Sequence, residues 1–229
     1  LIFTYILDDE PSNPWPLGGA SRWWLNRSLE ALAKDIAKRG ATLTLRCGAA
    51  DTVLLRLVKE TGASAVYWNR CYEPHAIERD KQLKQTLQDA GVTATSANGA
   101  LLNEPWTVKT KGGEPYKVYS PFWRACQQLP TRPLLSTPKR LRAHEADFAS
   151  DTLESWGLLP TKPNWAITFE REWAPGEAGA RRALDRFIEG GLHGYAEQRD
   201  QLGVAGTSRL SPHLHFGEIS PVAVRNAVE

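Results

Sequence analysis

The sequence predicts an α/β fold: a Rossmann-like parallel sheet with helices on both faces, followed by a linker and the start of an all-helical domain. Over residues 1–126, short runs of β-branched and aromatic residues alternate with longer segments whose apolar residues recur at helical spacing. Prolines then recur and the alternation stops, and afterwards only helical patterns continue. The expected parts are 1–126, 127–173 and 174–229.

The first strand and helix establish the pattern. Residues 1–7 form an apolar run typical of a buried strand, and a loop rich in Pro and Gly follows. Ser21 is the expected N-cap of a helix over residues 21–39, which Gly40 ends. The buried face of this helix is predicted to consist of Leu25, Leu29, Leu32 and Ile36.

The cycle of strand and helix then repeats. Further strands are predicted at residues 42–46, 65–68 and 92–95. A helix capped by Asp51 and ended by Gly62 separates the first two of these, and a helix ended by Gly91 separates the last two. Strands and helices that alternate at this spacing form βαβ units and therefore a parallel sheet.

The remainder of the chain is predicted to be helical where it is regular. The linker contains one helical pattern, at residues 143–156, and the last part contains another, at residues 180–188. Ser-Pro pairs are typical of helix starts, with Ser at the N-cap and Pro at the first helical position. Such pairs occur at residues 120–121, 211–212 and 220–221.

Composition limits the classes of protein. The chain is 41% hydrophobic, which excludes wholly disordered chains and disulfide scaffolds, and its net charge is only +2, which leaves room for no more than a local basic groove. No apolar run approaches the roughly 20 residues that cross a bilayer. Cys47, Cys71 and Cys126 are widely spaced, which favours small buried thiols in a reducing cytosol. Met is absent and the chain opens on a strand, so an internal fragment is expected.

Two other residue types carry no predicted chemistry. The nine tryptophans are expected to pack at interfaces, where an indole buries a large area, and none is assigned a redox role. His193, His213 and His215 lack neighbouring Cys or carboxylate ligands at zinc spacing, so no metal site is predicted.

Residues 195–212 carry the most chemistry. Tyr195 and Arg199 stand one helical turn apart, and the glycines that follow permit a tight backbone path. Three hydroxyl groups and the positive end of the following helix can together hold a phosphate or diphosphate. These hydroxyls belong to Thr207, Ser208 and Ser211. A Thr/Ser-rich cap between two helices explains the same residues, and both interpretations stay open.

Residues 206–221, GTSRLSPHLHFGEISP, resemble the signature that opens the flavin domain of the DNA photolyase/cryptochrome family. Tyr195 and residues 198–200 are similar to the approach to the same site. Residues 116–122, YKVYSPF, resemble the end of the family's N-terminal domain, and residues 68–73, WNRCYE, resemble the end of its third antenna-domain strand. The likeness covers the whole chain in order, and it is closest to bacterial class I photolyases of the cyclobutane pyrimidine dimer type.

The resemblance implies an α/β antenna domain whose first strand precedes Leu1, a linker, and a helical FAD-binding domain that is truncated here. Tyr195 would contact the FAD phosphates. The diphosphate would be wrapped by Thr207, Ser208, Arg209, Leu210 and Ser211. For Arg209 a salt bridge within the fold is the alternative. Arg199 would contact a phosphate of the DNA, or it is a solvated surface charge.

The implied activity is that of deoxyribodipyrimidine photo-lyase, a carbon–carbon lyase. Excited, reduced FAD passes an electron to a cyclobutane pyrimidine dimer in UV-damaged DNA, and the dimer splits. No catalytic residue falls within the chain, which is expected to be inactive alone, and the whole protein is expected to be a cytoplasmic monomer without metal or membrane contact. A cryptochrome-type blue-light receptor that binds FAD without repair is the alternative. A nucleotide-binding protein of another α/β family lacks support, because no glycine-rich phosphate motif follows a strand.

The antenna chromophore stays open. Folate-type members of the family often carry an Asn-Glu pair shortly after Tyr-Glu, whereas His75 and Ala76 stand at this place here, with Glu78 about one turn later. Methenyltetrahydrofolate, a deazaflavin and an empty pocket are all compatible with these residues.

Overall fold

The computed structural model describes residues 1–8, 15–144 and 148–229. Its strands are Phe3–Leu7 (β1), Leu43–Cys47 (β2), Ala65–Asn69 (β3) and Thr93–Ala97 (β4). Its helices are Gly19–Ala37 (α1), Ala50–Thr61 (α2), Pro74–Asp89 (α3), Tyr119–Gln127 (α4), Phe169–Glu172 (α5), Glu177–Gly190 (α6), Tyr195–Gln198 (α7), Ser211–His215 (α8) and Pro221–Val228 (α9). Short 3-10 turns occupy Glu154–Trp156 and Trp165–Ile167.

The four strands form two parallel pairs. β1 pairs with β2, with Phe3 opposite Leu43, and β3 pairs with β4, with Ala65 opposite Thr93. Each parallel pair needs a crossover connection, which α1 and α3 supply. The predicted parallel α/β fold is confirmed. Among the described strands, no ladder joins one pair to the other, so the sheet consists of two separate two-stranded pieces.

The first pair packs against α1. Leu25, Leu29 and Ile36 are buried in one cluster with Leu43 and Leu45 of β2. Burial of each such side chain stabilises the fold by about 2 kcal/mol. Leu32 was predicted on the same face but is 38% exposed, because the stripe of α1 that meets the strands is narrower than the predicted stripe.

The second pair packs against α2 and α3. Leu83 and Leu87 of α3 are buried with Val92, and side chains of α2 pack around them. The other side of β3 is open, since Tyr67 is 70% exposed. This pair therefore has one covered face and one accessible face.

Aromatic side chains join the α/β part to the later helices. Trp23 and Trp24 of α1 are buried against Ala166, with Trp173 and Phe216 packed beside them. A further cluster joins α6 to the segment before α8 through Ala183, Leu184 and Leu210. The predicted packing role of the tryptophans is therefore observed for this pair in α1. The predicted domain boundaries stay a prediction.

Two predicted helix starts in the α/β part are displaced. α1 begins at Gly19, and extended Gly18 is its N-cap in place of the predicted Ser21. α2 begins at Ala50, so Asp51 lies in its first turn and is not the N-cap. In both helices the residue at the N-cap makes no side-chain bond, so backbone geometry alone sets the start.

The Ser-Pro pairs behave differently from one another. Ser220 caps α9 as predicted, because its hydroxyl accepts a hydrogen bond from the backbone N–H of Ala223 at 3.1 Å. The other two pairs lie inside their helices: α4 begins at Tyr119, after Val118, and α8 begins at Ser211 itself. Gly62 ends α2 in the left-handed conformation as predicted, and Gly91 follows the C-cap of α3, whereas α1 ends at Ala37, before Gly40.

The predicted linker helix at residues 143–156 is wrong for its described part. Residues 145–147 lie outside the described residues, as does most of the loop after β1, and only Glu154–Trp156 forms a 3-10 turn. The stretch instead completes the edge of β2. The backbone N–H of Leu45 donates to Ser150 Oγ at 2.9 Å, and the N–H of Asp151 donates to the carbonyl of Leu45 at 2.8 Å. Edge pairing of the backbone therefore overrides the local helical pattern.

Candidate functional site

Residues 207–211, which we term the hydroxyl turn, follow α7 and end at Ser211, the first residue of α8. The buried residue Gly206 brings the turn against the end of α7. A Cβ at Gly206 would lie 2.6 Å from the Cβ of Gln198 and 3.0 Å from its carbonyl oxygen, so only glycine fits. The turn is thus held close to α7 before its hydroxyl groups begin.

Leu210 anchors the hydroxyl turn in the core while its neighbours face outward. The Leu210 side chain is buried with Ala183 and Leu184 of α6. Thr207 and Ser211 are exposed, and within the described part of the chain their hydroxyls have no hydrogen-bond partner. Ser208 Oγ accepts a long bond from the Leu210 N–H at 3.4 Å. The turn therefore holds at least two uncommitted hydroxyls on a fixed backbone.

Arg209 makes contacts within the fold. Its backbone has a positive φ of 54°, which is uncommon for a residue with a side chain. The guanidinium lies 4.0 Å from the ring centroid of Trp173 and 3.8 Å from a carboxylate oxygen of Glu172. The contact within the fold, one of the two alternatives that the sequence leaves open, is therefore present, and a contact of Arg209 with the diphosphate stays a prediction.

Tyr195 and Arg199 flank the turn. The Arg199 N–H donates to the carbonyl of Tyr195 at 3.0 Å, so the predicted spacing of one helical turn is observed. The Tyr195 ring meets Phe187 edge-on at 5.7 Å and is partly exposed. Arg199 is exposed and pairs only loosely with Asp200, at 3.4 Å. Both side chains can therefore reach solvent beside the hydroxyl turn.

α8 contributes less than the sequence indicated. It has only five residues, and its N-cap, Leu210, makes no side-chain capping bond. A helix this short carries a small dipole, so the predicted positive helix end is weak. Hydroxyl and amide groups of the turn are left as the main anion-binding groups.

Sequence reasoning missed a buried polar network next to the turn. Trp24 Nε1–H donates to Glu218 Oε1 at 3.0 Å, and His213 Nδ1 bonds Glu218 Oε2. All three residues are buried, and the Trp24 and His213 rings meet edge-on at 5.0 Å. Trp24 and Glu218 are 194 positions apart, so no local spacing could have revealed the pair.

A second polar cluster lies where β3 ends. Arg70 and the Tyr72 hydroxyl both bond Glu104, and the Arg70 guanidinium lies 5.1 Å from the ring of Trp106. Burial and the bond to Glu104 raise the pKa of Tyr72. Nearby, burial raises the pKa of the Cys71 thiol. These charged and aromatic groups lie near the start of α3, the segment for which the sequence leaves the antenna chromophore open.

The residues at the position of the Asn-Glu pair do not converge. His75 and Glu78 are exposed, and Glu78 accepts a bond from Gln82 at 3.2 Å, one turn further along α3. Ala76 is buried. Among the described residues, none of these three joins the Arg70–Glu104 cluster.

A cavity of about 420 Å³ lies between α1 and the segment around α5. Arg27 crosses it, bonding Glu30 at 3.1 Å and Glu170 at 2.6 Å. Its walls are Trp23, Arg27, Glu30, Ala31, Lys34, Glu170, Trp173, Ala174 and Pro175. Positive and negative side chains alternate here, so the cavity has no dominant charge.

Two further findings concern the described residues only. None of their helices combines the length and the apolar content that crossing a bilayer requires. They contain no group of three or more His, Cys, Asp or Glu side chains placed to hold a metal ion.

The fold and the site together define an α/β protein whose first helix packs, through aromatic side chains, against later short helices. Those helices carry a turn that is suited to binding an anion. The family model described as DNA photolyase matches residues 1–140. The chain is 50% identical over 216 residues to a deoxyribodipyrimidine photo-lyase of Agrobacterium fabrum, covering 93% of this chain and 45% of that protein. The chain belongs to the DNA photolyase family.

Cryptochromes are also similar. Cryptochrome-1 of Arabidopsis thaliana is 34% identical over 224 residues, which cover 96% of this chain and 33% of the relative. A crystal structure of a bacterial class III photolyase from Agrobacterium tumefaciens superposes with a TM-score of 0.90 at 47% identity, covering 99% of this chain and 46% of that one. The chain thus spans less than half the length of these relatives. The neighbour is of class III, whereas the sequence motifs were interpreted as closer to class I.

Proposed function

We propose that this chain is part of a light-driven DNA repair flavoenzyme, a deoxyribodipyrimidine photo-lyase, and that the hydroxyl turn binds the diphosphate of FAD. The proposal depends on one observation in this member of the DNA photolyase family: the hydroxyl turn combines a fixed backbone with unbonded hydroxyl groups. Its backbone is fixed by Leu210 and Gly206, yet the hydroxyls of Thr207 and Ser211 are exposed and have no hydrogen-bond partner among the described residues. Anchored donors that remain uncommitted suit an anionic group.

The donor set fits a diphosphate. Thr207, Ser208 and Ser211 offer hydroxyl groups, and Leu210 offers only its backbone, since its side chain is in the core. Tyr195 would add a phenol at the edge of the turn. When bound, FAD supplies the light-driven electron transfer that splits a pyrimidine dimer. The residues of this chain bind and orient the group.

Arg209 holds the turn and is proposed not to contact the diphosphate directly. Its guanidinium stacks on Trp173 and faces Glu172, so it is already engaged. The positive φ at this position changes the direction of the backbone between Ser208 and Leu210. This differs from the role that the resemblance implied.

DNA binding is a second part of the proposal. Arg199 is exposed, and its carboxylate partner is loose and solvent-exposed, so a phosphate can replace that partner at little cost. UV-damaged DNA is the proposed partner, and the proposed assembly is a monomer. A cytoplasmic location belongs to the same proposal, supported by three free cysteines. Of these, Cys126 is buried as predicted, whereas Cys47 is exposed, so the prediction of a buried thiol is wrong for Cys47.

For the antenna chromophore we propose two candidates, and for the subclass of photolyase we propose one. Methenyltetrahydrofolate or a deazaflavin would absorb light for FAD, and the Arg70–Glu104 cluster at the end of β3 offers charged and aromatic groups for such a heterocycle. The class III neighbour, at 47% identity, favours that subclass over class I. The proposed domains remain 1–126, 127–173 and 174–229.

Flavin content tests the central proposal. The parent polypeptide, meaning the longest natural polypeptide that contains these 229 residues, is purified as wild type and with Thr207→Ala, Ser208→Ala or Ser211→Ala. Each change is expected to weaken FAD retention several-fold, because each removes a hydrogen bond worth about 1 kcal/mol. Ser136→Ala, at an exposed linker serine, is the matched control and is expected to retain FAD. Full retention in all three variants would contradict the proposal.

Salt dependence tests the DNA part. Arg199→Ala is expected to lower DNA affinity and to reduce the salt slope by about one contact. Arg56→Ala is the control, because Arg56 is also exposed and also pairs with a single carboxylate, Glu60. An unchanged slope for Arg199→Ala would count against a phosphate contact.

The cryptochrome alternative rests on the similarity to Arabidopsis cryptochrome-1. It predicts that the parent polypeptide binds FAD but leaves thymine dimers intact under blue light. Clearance of the dimers under blue light, with none in the dark, distinguishes photolyase from receptor.

A further inference from the structure

We propose that Glu218 is a positioning residue for the hydroxyl turn, and that it acts by joining Trp24 of α1 to His213 of α8. The inference rests on the proposed function, because it concerns how the FAD-binding turn is placed. Glu218 touches neither FAD nor DNA in this proposal. Its role is to fix α8, and thereby the turn, relative to the α/β part.

The carboxylate of Glu218 is fully committed. One oxygen accepts the indole N–H of Trp24 at 3.0 Å and the other bonds His213 Nδ1. The side chains of Glu218 and His213 are each only 3% exposed, and Trp24 is 5% exposed. A buried carboxylate with two partners fixes both of them in direction, because any rotation leaves a donor unpaired.

The network reaches the hydroxyl turn at two points. At its last residue, Ser211 and His213 belong to the same short helix, α8, so fixing His213 fixes Ser211. At its middle residue, Arg209, the guanidinium lies 4.0 Å from the ring of Trp173, which the Trp24 ring meets at 5.3 Å. Trp24 is thus common to both connections.

Anion binding depends on this placement. Hydroxyl donors bind a diphosphate well only when they are held near the bound geometry, and small displacements lose much of the affinity. α8 is too short to hold its own direction, and Gly206 and Leu210 fix the turn only as far as the residue before α8. The bond to Trp24 supplies a fixed point beyond that residue, in a different part of the fold.

The neighbouring tryptophan provides a matched control. Trp23 is as buried as Trp24, at 2% exposure, and packs on Phe169 at 5.4 Å. Within the described residues, its Nε1 has no hydrogen-bond partner, and no polar bond joins it to α8. Trp23→Phe therefore removes indole volume alone, whereas Trp24→Phe also removes the bond to Glu218.

The first experiment measures the dissociation constant of FAD in the parent polypeptide. Trp24→Phe is expected to weaken FAD binding by about tenfold or more, and Trp23→Phe by less than about twofold, although both lower the melting temperature. A structural role alone predicts that the two variants change the dissociation constant equally. Equal effects would overturn the proposal.

The second experiment uses Glu218 itself and covers the case in which Trp24→Phe does not fold. Glu218→Gln retains an acceptor for Trp24, and its amide can donate to His213 Nδ1 in the other tautomer, so it is expected to restore most of the FAD affinity that Glu218→Ala loses. In a double-mutant cycle, Trp24→Phe and Glu218→Ala are expected to be non-additive. Equal losses for Gln and Ala, or additive losses in the cycle, would overturn the proposal.

Failure of this inference and failure of the proposed function give different results. A parent polypeptide whose wild type and Ser211→Ala variant bind equally little FAD refutes the hydroxyl turn as a flavin site. A wild type that binds FAD, a Ser211→Ala variant that binds it more weakly, and tryptophan variants that behave alike refute only the role of Glu218.

Discussion

The hydroxyl turn and the buried network of Trp24, His213 and Glu218 adjoin each other, but their polar groups differ in hydrogen bonding. In the network, both carboxylate oxygens are bonded and water is excluded. In the turn, Thr207 and Ser211 keep exposed hydroxyls without partners in the described structure. Polar groups bonded to the fold specify its geometry, and polar groups left open on a fixed backbone are available to a ligand.

Loss of the carboxylate is expected to have the largest effect on stability. Glu218→Ala leaves the Trp24 N–H and the His213 ring unpaired in a buried site, which should destabilise the parent polypeptide by about 3 kcal/mol. Calorimetric melting measures the change. His215→Ala, at an exposed histidine of α8, the helix that also contains His213, should leave the melting temperature nearly unchanged. Similar losses in the two variants would remove the distinction between the network and the surface.

The partly buried phenol of Tyr5 extends the comparison to the pH dependence of stability. Burial, and to a smaller degree the charge of Cys71, raises the pKa of Tyr5 from 10.0 to about 12. The folded state therefore holds this proton more tightly than the unfolded state, so the stabilisation is fully present below pH 10 and is lost as the pH rises toward about 12. Over that pH interval, the free energy of unfolding of Tyr5→Phe should fall by about 2 kcal/mol less than that of the wild type. Urea midpoints across the interval measure this, and parallel curves would contradict it.

Arg209 is intermediate between the polar groups bonded within the fold and those left open, because it contacts Trp173 but is partly exposed. Its loss is expected to change stability less than loss of Glu218. Arg209→Ala removes the stacking on Trp173, which at a partly exposed site is worth about 0.5–1 kcal/mol. Arg209→Gly loses the same contact but relieves the positive φ, so it should be more stable than the Ala variant by up to about 1 kcal/mol. Melting temperatures rank the two variants, and the reverse order would show that the backbone relaxes when the side chain is removed.

The open hydroxyls should matter least for stability. The double variant Thr207→Ala/Ser211→Ala is expected to change the stability of the flavin-free parent polypeptide by less than about 0.5 kcal/mol, since no bond within the fold is lost. In the FAD-bound form the same variant should melt earlier than wild type, because it binds the stabilising group more weakly. A large loss in the flavin-free form would show that these hydroxyls belong to the fold.

The sequence predicted features that depend on neighbouring residues. The alternation of strand and helix is visible in Leu25, Leu29 and Ile36, and it led correctly to parallel pairing. The hydroxyl turn was found because its residues are contiguous. The link from Trp24 to Glu218 was not found, since it joins residues 194 positions apart and follows no local period.

Competition between local and distant bonding explains the incorrect predictions. Ser150 and Asp151 bond the backbone of Leu45, and this distant pairing prevents the helix that their own neighbours favour. Ser21 and Ser120 fit an N-cap by residue type, but α1 and α4 begin earlier. A capping residue type favours a helix start at its position, but the surrounding contacts determine where the helix begins.

The division of the sheet has a practical consequence for handling the polypeptide. The linker covers the outer edge of β2, whereas β1, β3 and β4 each have one edge whose backbone groups find no ladder partner among the described residues. Such a row of free N–H and C=O groups is a template for intermolecular strand addition. These 229 residues, expressed by themselves, should therefore self-associate as their concentration increases, and light scattering would detect the growing particles.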